Sequence, residues 1–594
     1  MFGNNGILNQ ATNAATRTEI EDAREKIGIE VVGSFDSSGV LNMDLLKENL
    51  SDNLGINTNG MVNSLPTNTF YYNDLNFYID DKAQVIYGEN FVVQTDGSWN
   101  ASKGVNSPEL FEGMTAVYWD EEGTEHELTS SSTAEEWDQW YDYNGNGDGQ
   151  NKWANAVTKD SSGNITGYWV WIPRYAYKIE SGLFTSTSGT ISVKFLQGTS
   201  DLDENEEEIS RNYAYSGDAM TDYVVHPAFR DGTDNNFMLG EWDEEVSGFW
   251  VAKYEAGYQA NTITDNDGTL STTISNADDE VVYSDLKYTS YRNILLTNAL
   301  GQDLSETGYL NESLSFPVFL PLTYSYNNIC IGDSYVLSQS IDTANNFYGL
   351  NSSATDSHMM KNSEWGAVVY LAQSIYGRNG TEITINDYYT SESTPYRTAI
   401  AGLASSDGSE SSTTSLSNVS TYNTTNGYKG NTTGNVTGIY DLSGGLWDRV
   451  SGYILNGHAN LTGNGTNSTY GSSGTLMGAT STANANGYQT LSTRTYTVYP
   501  YDSSNDSGTN NYNVYKGLLS STYGYADAIL ELSSGESTMS SWNSDYSQFV
   551  GTEVPFFLRG GNYHASSGAG SFAFIVTVGD AFYDVGFRVV LVAE

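Results

Sequence analysis

Cysteine, proline and positive charge are all scarce in this chain. Its 594 residues include one cysteine, nine prolines and 25 Lys or Arg residues against 73 Asp or Glu residues. Because Cys330 has no second cysteine to pair with, an intramolecular disulfide is excluded. The formal net charge of −48 argues against nucleic acid and anionic membrane as partners, since both are recognised by basic surfaces.

Long apolar runs are also missing. No run reaches the roughly 18 residues that a transmembrane helix needs. Tyr, Gly, Ser, Thr and Asn are abundant instead, which is typical of β-rich proteins with many loops. The length alone indicates roughly three to four domain-sized units.

The first 91 residues carry two helical patterns followed by a hairpin pattern. Apolar residues recur at helical spacing from Ile20 to Val31, with charged residues on the other faces, and again from Leu45 to Leu54. Two short apolar segments on either side of Asp80-Asp81 predict a β-hairpin.

Two segments of this region, GNNGILNQA at 3–11 and TEIEDAREKIG at 18–28, resemble type IV pilin-like proteins of Gram-positive bacteria. In that family they directly follow a prepilin-type apolar helix, so we expect that this anchor preceded Met1 and has been cut away. The resemblance implies a pilin-like stem over residues 1–91, with pilin subunits as partners and membrane contact only through the missing helix. The alternative is an ordinary amphipathic helix that caps the globular domain.

Residues 92–162 are acidic and polar, which predicts a linker or an elaboration of a neighbouring domain. Within them, Asp142, Asn144, Asn146 and Asp148 alternate with Tyr or Gly, and such oxygen ligands can wrap a hard cation such as Ca²⁺. An EF-hand loop would also need a glutamate eleven residues after Asp142, where this chain has Trp153. Both a bound Ca²⁺ and a plain Asn/Gly turn cluster remain open.

Five motifs in residues 163–594 resemble, in order, the domain shared by formylglycine-generating-enzyme-like proteins and their C-type-lectin-fold relatives. They are Trp169–Arg174, Gly248–Glu255, Asn362–Ala367, Gly438–Asp448, and the closing pair Arg559-Gly560-Gly561 and Gly586-Phe587-Arg588. The resemblance implies an α+β, C-type-lectin-like head with long loop insertions, expected at Ser405–Asn435 and Asn456–Gly487. The tryptophans inside the motifs are predicted to be core residues: Trp169, Trp171, Trp250, Trp365 and Trp447.

The same resemblance raises the question of enzymatic activity. The oxidase members of the family hold copper with a pair of cysteines, and this chain has only Cys330. Its five histidines show no metal-ligand spacing. The acidic run from Glu241 to Glu245 is predicted to be a solvated loop rather than a catalytic pair. We therefore expect that the protein is not an enzyme.

The segment from Asn562 to Val585 is irregular, although its flanks are built from structural residue types. Proteins whose C-terminal lectin-like domain is rewritten by diversity-generating retroelements end in a similar frame, RGG followed by GFR. Their randomised NNC codons cannot encode Lys, Glu, Gln, Met or Trp, and none of these occurs between Asn562 and Val585. Phe572 and Phe574 are predicted to be fixed scaffold.

This second resemblance implies a hypervariable ligand-binding surface within residues 562–585. The predicted contact residues are Tyr563, His564, Ala565, Ser567, Ser571, Ala573, Ile575, Val576, Thr577, Val578, Asp580, Phe582, Tyr583, Asp584 and Val585. An exposed run at Ile575–Val578 would serve as a contact patch. The alternative for that run is an ordinary buried strand, which β-branched residues favour.

Taken with the stem, the head predicts an adhesin at the cell surface or pilus of a Gram-positive bacterium. Its ligand would be a protein or glycan on another cell, a host or a phage, and Ca²⁺ is the one cofactor considered. The alternatives are a phage receptor-binding protein with the same head, an oxidase-type enzyme and an undiversified structural pilin.

Overall fold

The computed structural model describes residues 23–593 apart from a set of internal gaps. The gaps are 37–38, 57, 59–60, 63, 66, 68–69, 73–74, 80–81, 88–92, 130–131, 232–241, 243, 259–261, 265–269, 272–279, 283–316, 322–323, 328–329, 343–345, 387–422, 455, 462–494, 519–524, 563–564, 581 and 583. The predicted loop insertions at Ser405–Asn435 and Asn456–Gly487 lie mostly within these gaps. The chain divides into two compact units, Met1–Val93 and Gln94–Glu594. Its architecture is α+β, mostly sheet with few helices, as predicted for the fold class.

The first unit combines two helices with a small antiparallel sheet. Its elements are α1 (23–33), α2 (Met43–Leu54), β1 (Phe70–Tyr72), β2 (Leu75–Ile79) and β3 (Val85–Tyr87), with sheet order β1-β2-β3. Asn42 begins α2 because its side-chain oxygen accepts hydrogen bonds from two backbone N–H groups, and Gly55 ends it at φ 67°. Apolar residues of both helices and the hairpin form one buried cluster. The predicted helices and hairpin are confirmed, except that Ile20 lies outside the described residues.

The second unit contains the remaining strands and helices. The strands are β4 (Trp99–Asn100), β5 (Val105–Asn106), β6 (Met114–Trp119), β7 (Glu125–Glu127), β8 (Asn155–Lys159), β9 (Ile165–Pro173), β10 (Tyr175–Ile179), β11 (Ile191–Phe195), β12 (Tyr215–Ser216), β13 (Ala219–Met220), β14 (Val224–Val225), β15 (Gly248–Ala252), β16 (Gly257–Tyr258), β17 (Thr262–Thr264), β18 (Leu270–Ser271), β19 (Glu280–Val282), β20 (Tyr324–Ser325), β21 (Thr355–Met359), β22 (Trp447–Ile454), β23 (Thr497–Tyr499), β24 (Phe556–Arg559), β25 (Phe574–Thr577), β26 (Val585–Phe587) and β27 (Val589–Ala593). The helices are α3 (Ala134–Asp138), α4 (Ile331–Gln339), α5 (Asn362–Gln373) and α6 (Gly508–Leu518). None of the helices in the described part of the chain has the length and apolar character to cross a bilayer.

A seven-stranded antiparallel sheet organises this unit, in the order β21-β27-β15-β9-β8-β6-β7. Three of its strands, β6, β7 and β8, come from residues 92–162, so that segment is an elaboration of the domain and not a linker. Its acidic composition obscured the strands because the charges cluster in the turns, whereas Ala116 and Ala156 lie in the main core. Val117 and Val157 enter a smaller apolar cluster, so β6 and β8 contribute to both.

A second sheet supports the C-terminal segment. Its order is β23-β22-β24-β25, with β26 paired in parallel to β22. All eight residues of β22 are buried. β25 is the last strand in this order and pairs antiparallel with β24, from Phe574 opposite Arg559 to Thr577 opposite Phe556.

The motifs that carry the family resemblance are neighbours in the fold. Trp171 of β9 lies opposite Trp250 of β15, with ring centroids 5.3 Å apart. Arg588 donates hydrogen bonds to the backbone oxygens of Ala252 (2.8 Å) and Tyr440 (2.9 Å), and its Nε lies 3.3 Å from the Asp448 carboxylate. All five motif tryptophans are buried, which confirms the prediction that they are core residues.

Candidate ligand-binding surface

Two glycines fix the path of the chain as it leaves β24. Gly560 and Gly561 have φ values of 83° and 80°, a region that favours glycine. A Cβ on Gly561 would lie 2.3 Å from the Cβ of Ala569, and one on Gly560 would lie 3.2 Å from the Trp365 ring. The paired glycines therefore allow the chain to pass close to Ala569 and Trp365.

The predicted scaffold residues of the segment are buried. Phe572 and Phe574 both belong to the main core. The indole Nε1 of Trp365 donates to the backbone oxygen of Ser571 at 2.9 Å, and the backbone N–H of Phe572 donates to the Asp545 carboxylate at 3.0 Å. The side chains of Trp365 and Asp545 thus hold the backbone in the middle of the segment.

Part of the predicted contact set is wrong. Ala573 and Val585 are buried in a cluster with Trp447 and Leu558, and Ser571 and Thr577 are each only 6% exposed. These four side chains are not available to a ligand at the surface of this structure. The pairing of β25 with β24 and of β26 with β22 turns Thr577 and Val585 inward, and Ala573 packs in the Trp447 cluster just before β25. Ile575 and Val576 are half-buried members of β25. Within the run Ile575–Val578, the first three residues form a strand as the alternative predicts, but Thr577 is its one buried residue, so the run is neither fully buried nor a fully exposed patch.

Eight described residues of the predicted set are exposed or half-buried, and we call the six that lie outside β25 the terminal surface. Ser567, Asp580 and Phe582 are exposed, and Ala565, Val578 and Asp584 are half-buried. Phe582 is 40% exposed, which is high for so large an apolar side chain. The predicted residues Tyr563, His564 and Tyr583 lie outside the described residues.

The backbone of the terminal surface is anchored through main-chain oxygens. Buried Arg449 donates from its guanidinium to the backbone oxygen of Asp580. The first N–H of α4, that of Ile331, donates to the backbone oxygen of Gly579 at 3.0 Å. Burial lowers the pKa of Arg449 to about 10, so it stays a cation at neutral pH. The path of residues 579–580 is fixed through these two backbone oxygens, and the Asp580 carboxylate adds an electrostatic attraction to Arg449.

A second pair of contacts holds the end of this surface. The side-chain amide of Asn562 donates to the Asp584 carboxylate at 2.6 Å, and the backbone N–H of Trp447 donates to the Asp584 backbone oxygen at 3.0 Å. Asp584 therefore has a structural contact as well as partial exposure. Of the terminal surface, Ser567, Asp580 and Phe582 remain the residues whose side chains are most available for contact.

Two residues bordering this surface could not be identified from the sequence. A Cβ on Gly568 would lie 3.1 Å from the Tyr546 ring and 3.7 Å from the Met539 Cε. Tyr546 is half-buried, and Met539 is 42% exposed. Neither belongs to a motif or a periodic pattern, so no local signal could have associated them with residues 562–585.

The candidate Ca²⁺ loop does not form an oxygen cage. The Asn144 oxygen accepts the backbone N–H of Asn146, the Asn144 amide donates to Asp142, and Asp148 pairs with Arg378 Nε at 3.3 Å. The glycines between them have positive φ values, 68° at Gly145 and 90° at Gly147. One oxygen each of Asp142, Asn144 and Asp148 is thus engaged within the turn or by Arg378. The Asn/Gly turn cluster is the alternative that the geometry supports.

In the Gln94–Glu594 unit, His358 belongs to a buried ion-pair network within the core. His358 Nε2 lies 3.0 Å from the Glu364 carboxylate, which also accepts from the Lys361 ammonium at 3.1 Å. All three side chains are fully buried, and the Lys361 and His358 charges lower the pKa of Glu364 against the effect of burial. Across the described ranges, no group of three or more His, Cys, Asp or Glu residues is placed to hold a metal ion.

The predicted solvated loop at Glu241–Glu245 is only partly solvated. Glu244 is exposed, but Trp242 is 4% exposed and its Nε1 donates to the Ala228 backbone oxygen at 2.7 Å. Glu245 pairs with Arg174 at 2.6 Å and with Arg211 at 2.8 Å. These arginines are distant in sequence, so charge composition alone could not show that Glu245 is compensated. Glu241 and Asp243 lie outside the described residues.

No protein-family model and no curated protein sequence matches the chain.

Proposed function

We propose that the Gln94–Glu594 unit is the ligand-binding head of a cell-surface or pilus-associated adhesin. In this proposal the head has a C-type-lectin-like fold, the terminal surface is its diversified binding site, and residues 1–91 are a pilin-like stem. The observation that carries the proposal is the separation of roles within residues 562–585. Side chains that stabilise the fold are buried, whereas Ser567, Asp580 and Phe582 are exposed on a backbone held by other residues.

The chemistry of the terminal surface suits recognition by shape. Phe582 offers apolar area with few rotatable bonds, while Asp580 and Ser567 offer adaptable hydrogen bonds, the combination that antibody loops use. Tyr546 and Met539 extend the apolar contact area beyond the segment. A protein or a glycan ligand is compatible with this surface, and its identity would change as the variable residues change.

Sequencing of the codons for residues 562–585 across a growing population tests the diversification. We expect substitutions at Ser567, Val578, Asp580 and Phe582, with a near-identical template repeat close to the gene. We expect constancy at Ala573 and Val585, because their side chains pack against Trp447. An invariant segment without a repeat would rule out diversification, and variation concentrated at the buried positions would contradict the assignment of the surface.

The proposal also predicts a contrast in stability between neighbouring positions. Phe582→Ala should change the free energy of unfolding by no more than about 0.5 kcal/mol, as is usual for exposed positions away from structural contacts. Val585→Ala should cost about 2 kcal/mol, because it removes buried methyl groups next to Trp447. Urea unfolding of both variants measures the difference. Equal costs would show that Phe582 is part of the scaffold.

A further inference from the structure

A cavity of about 700 Å³ lies in the Gln94–Glu594 unit, and no residue of the terminal surface lines it. Its volume is within the range of small-molecule pockets, roughly 300–1,000 Å³. Its walls carry acidic side chains beside apolar ones. The residues that matter for its chemistry are Asp96, Glu109, Trp242, Glu244, Ser247 and Val592.

The acidic residues of the wall differ in how their charges are compensated. Glu245 also lines the cavity, but Arg174 and Arg211 pair with it. The Asp96 carboxylate accepts from the backbone N–H of Ser98 at 3.1 Å and from its hydroxyl at 2.5 Å. Glu109 is half-buried and has neither a hydrogen bond nor an ion pair to its carboxylate from any residue that the structure describes. Glu109 is therefore the half-buried acidic group of this wall whose charge lacks compensation.

Glu109 lies in an environment that disfavours its ionised form. Burial, followed by the nearby negative charge of Asp96, raises the pKa of Glu109 to about 7. The Ser98 hydrogen bond lowers the pKa of Asp96, so Asp96 stays ionised. A cation bound between these groups would relieve both the repulsion and the lost hydration of Glu109.

Ser247 is a second, independent indication of a ligand. The residue is 7% exposed, and its Oγ has no hydrogen-bond partner among the described residues. It lies at the cavity wall against Gly97, where a Cβ would come within 2.3 Å of the Oγ. Because this Oγ borders the cavity and has no partner among the described residues, it is available to accept a hydrogen bond from a ligand.

We propose that this cavity binds an alkylammonium group, the chemistry shared by a lysine side chain and a linear diamine. The ammonium would donate to the Glu109 carboxylate and the Ser247 hydroxyl, since it has three donors and no acceptor. Its methylene stem would pack on Val246, Val592 and Ala593, which line the same cavity. A divalent cation fits less well, because the described residues place no three acidic or histidine ligands together.

Calorimetric titration of the full chain with 1,5-diaminopentane tests this site, at about 0.15 M ionic strength to screen the surface charge. We expect Glu109→Gln to weaken binding about tenfold or more, because a charge-assisted hydrogen bond is lost. The control is Glu122→Gln, which removes the same charge from an exposed position and should leave binding unchanged. Ser247→Ala should weaken binding about threefold, the effect of a neutral hydrogen bond.

A parallel titration with Nα-acetyl-lysine amide distinguishes the two sources of the ligand. Binding of both probes would indicate a lysine side chain of a partner protein, and binding of the diamine alone a free polyamine. Equal affinities of Glu109→Gln and Glu122→Gln, or no binding of either probe to the wild type, would overturn the proposal. Thermal unfolding of Glu109→Gln should match the wild type within a few degrees, so lost binding would not reflect unfolding.

Discussion

Replacing Arg588 with methionine is expected to destabilise the Gln94–Glu594 unit by about 3–5 kcal/mol, the usual cost of removing one partner of a buried ion pair. Arg588 is fully buried and connects three parts of the head: the backbone oxygens of Ala252 and Tyr440 and the carboxylate of Asp448. Methionine would fill much of the volume but would leave all three acceptors without this donor. Chemical denaturation of the full chain, followed through the transition of residues 94–594, measures the loss.

A surface substitution provides the matched control for Arg588→Met. Lys178, the one residue of β10 that is not buried, pairs with Glu180 at 3.0 Å just beyond the strand, and Lys178→Met removes the same charge. It should cost at most about 1 kcal/mol, because exposed ion pairs contribute little.

A double variant separates the contribution of Asp448. Burial raises the pKa of Asp448 to about 6 even with Arg588 present. Asp448→Asn should therefore offset part of the cost of Arg588→Met, and the double variant should be more stable than the sum of the single effects. If the two substitutions changed the free energy of unfolding additively, Asp448 and Arg588 would not be energetically coupled.

The second large effect concerns pH. Glu531 is fully buried, and its carboxylate accepts from Tyr177 at 2.9 Å, from Tyr370 at 2.7 Å and from the Ala526 backbone N–H at 2.6 Å. Burial nevertheless raises its pKa to about 7, from an ordinary value of 4.5. Between these two pH values the folded state holds a proton that the unfolded state has released. The stabilisation from Glu531 is therefore complete below pH 4.5 and is lost as the pH rises to 7.

Glu531→Gln removes this titration, so its stability relative to the wild type should increase by about 3 kcal/mol from pH 4.5 to pH 8. This value follows from the difference between the folded and unfolded pKa of Glu531, since each tenfold change in proton affinity corresponds to about 1.4 kcal/mol. Denaturation of both proteins across that pH range measures the difference.

Buried His226 acts in the opposite sense, because burial lowers its pKa to about 3 and its contribution is lost as the pH falls below 6.5. Since the wild type and Glu531→Gln both retain His226, the difference between their free energies of unfolding reports the contribution of Glu531. If the difference in free energy of unfolding did not change from pH 4.5 to pH 8, Glu531 would be ionised in the folded state over that whole range.

Local patterns in the sequence predicted the parts of the fold that depend on near neighbours. The helical spacing of Ala23, Ile27 and Val31 and the apolar segments around Asp80-Asp81 correspond to the helix and hairpin of the first unit. The motif tryptophans are buried because large aromatic side chains inside β-rich motifs pack in the core.

Contacts between distant segments could not be predicted in the same way. Ala573 is buried because Trp447, 126 positions earlier, packs in the same cluster. The cavity combines Glu109, Ser247 and Ala593, which no sequence window contains together. β6 and β8 were not predicted as strands, because acidic turns dominate the composition around them. The sequence predicted residues 562–585 as one contact segment. Which of its side chains are exposed and which are buried could be seen only from the structure.

The anchoring of residues 579–580 has a consequence for insertions and deletions. Arg449 and Ile331 bind backbone oxygens at fixed positions along the chain, and every amino acid supplies such an oxygen. A substitution at position 580 leaves these contacts in place. Adding or removing one residue between Thr577 and Gly579 would instead move a different oxygen to each donor, and a change of length between Asp580 and Asp584 would displace the Asn562–Asp584 contact. This surface should therefore tolerate changes of residue type far better than changes of length.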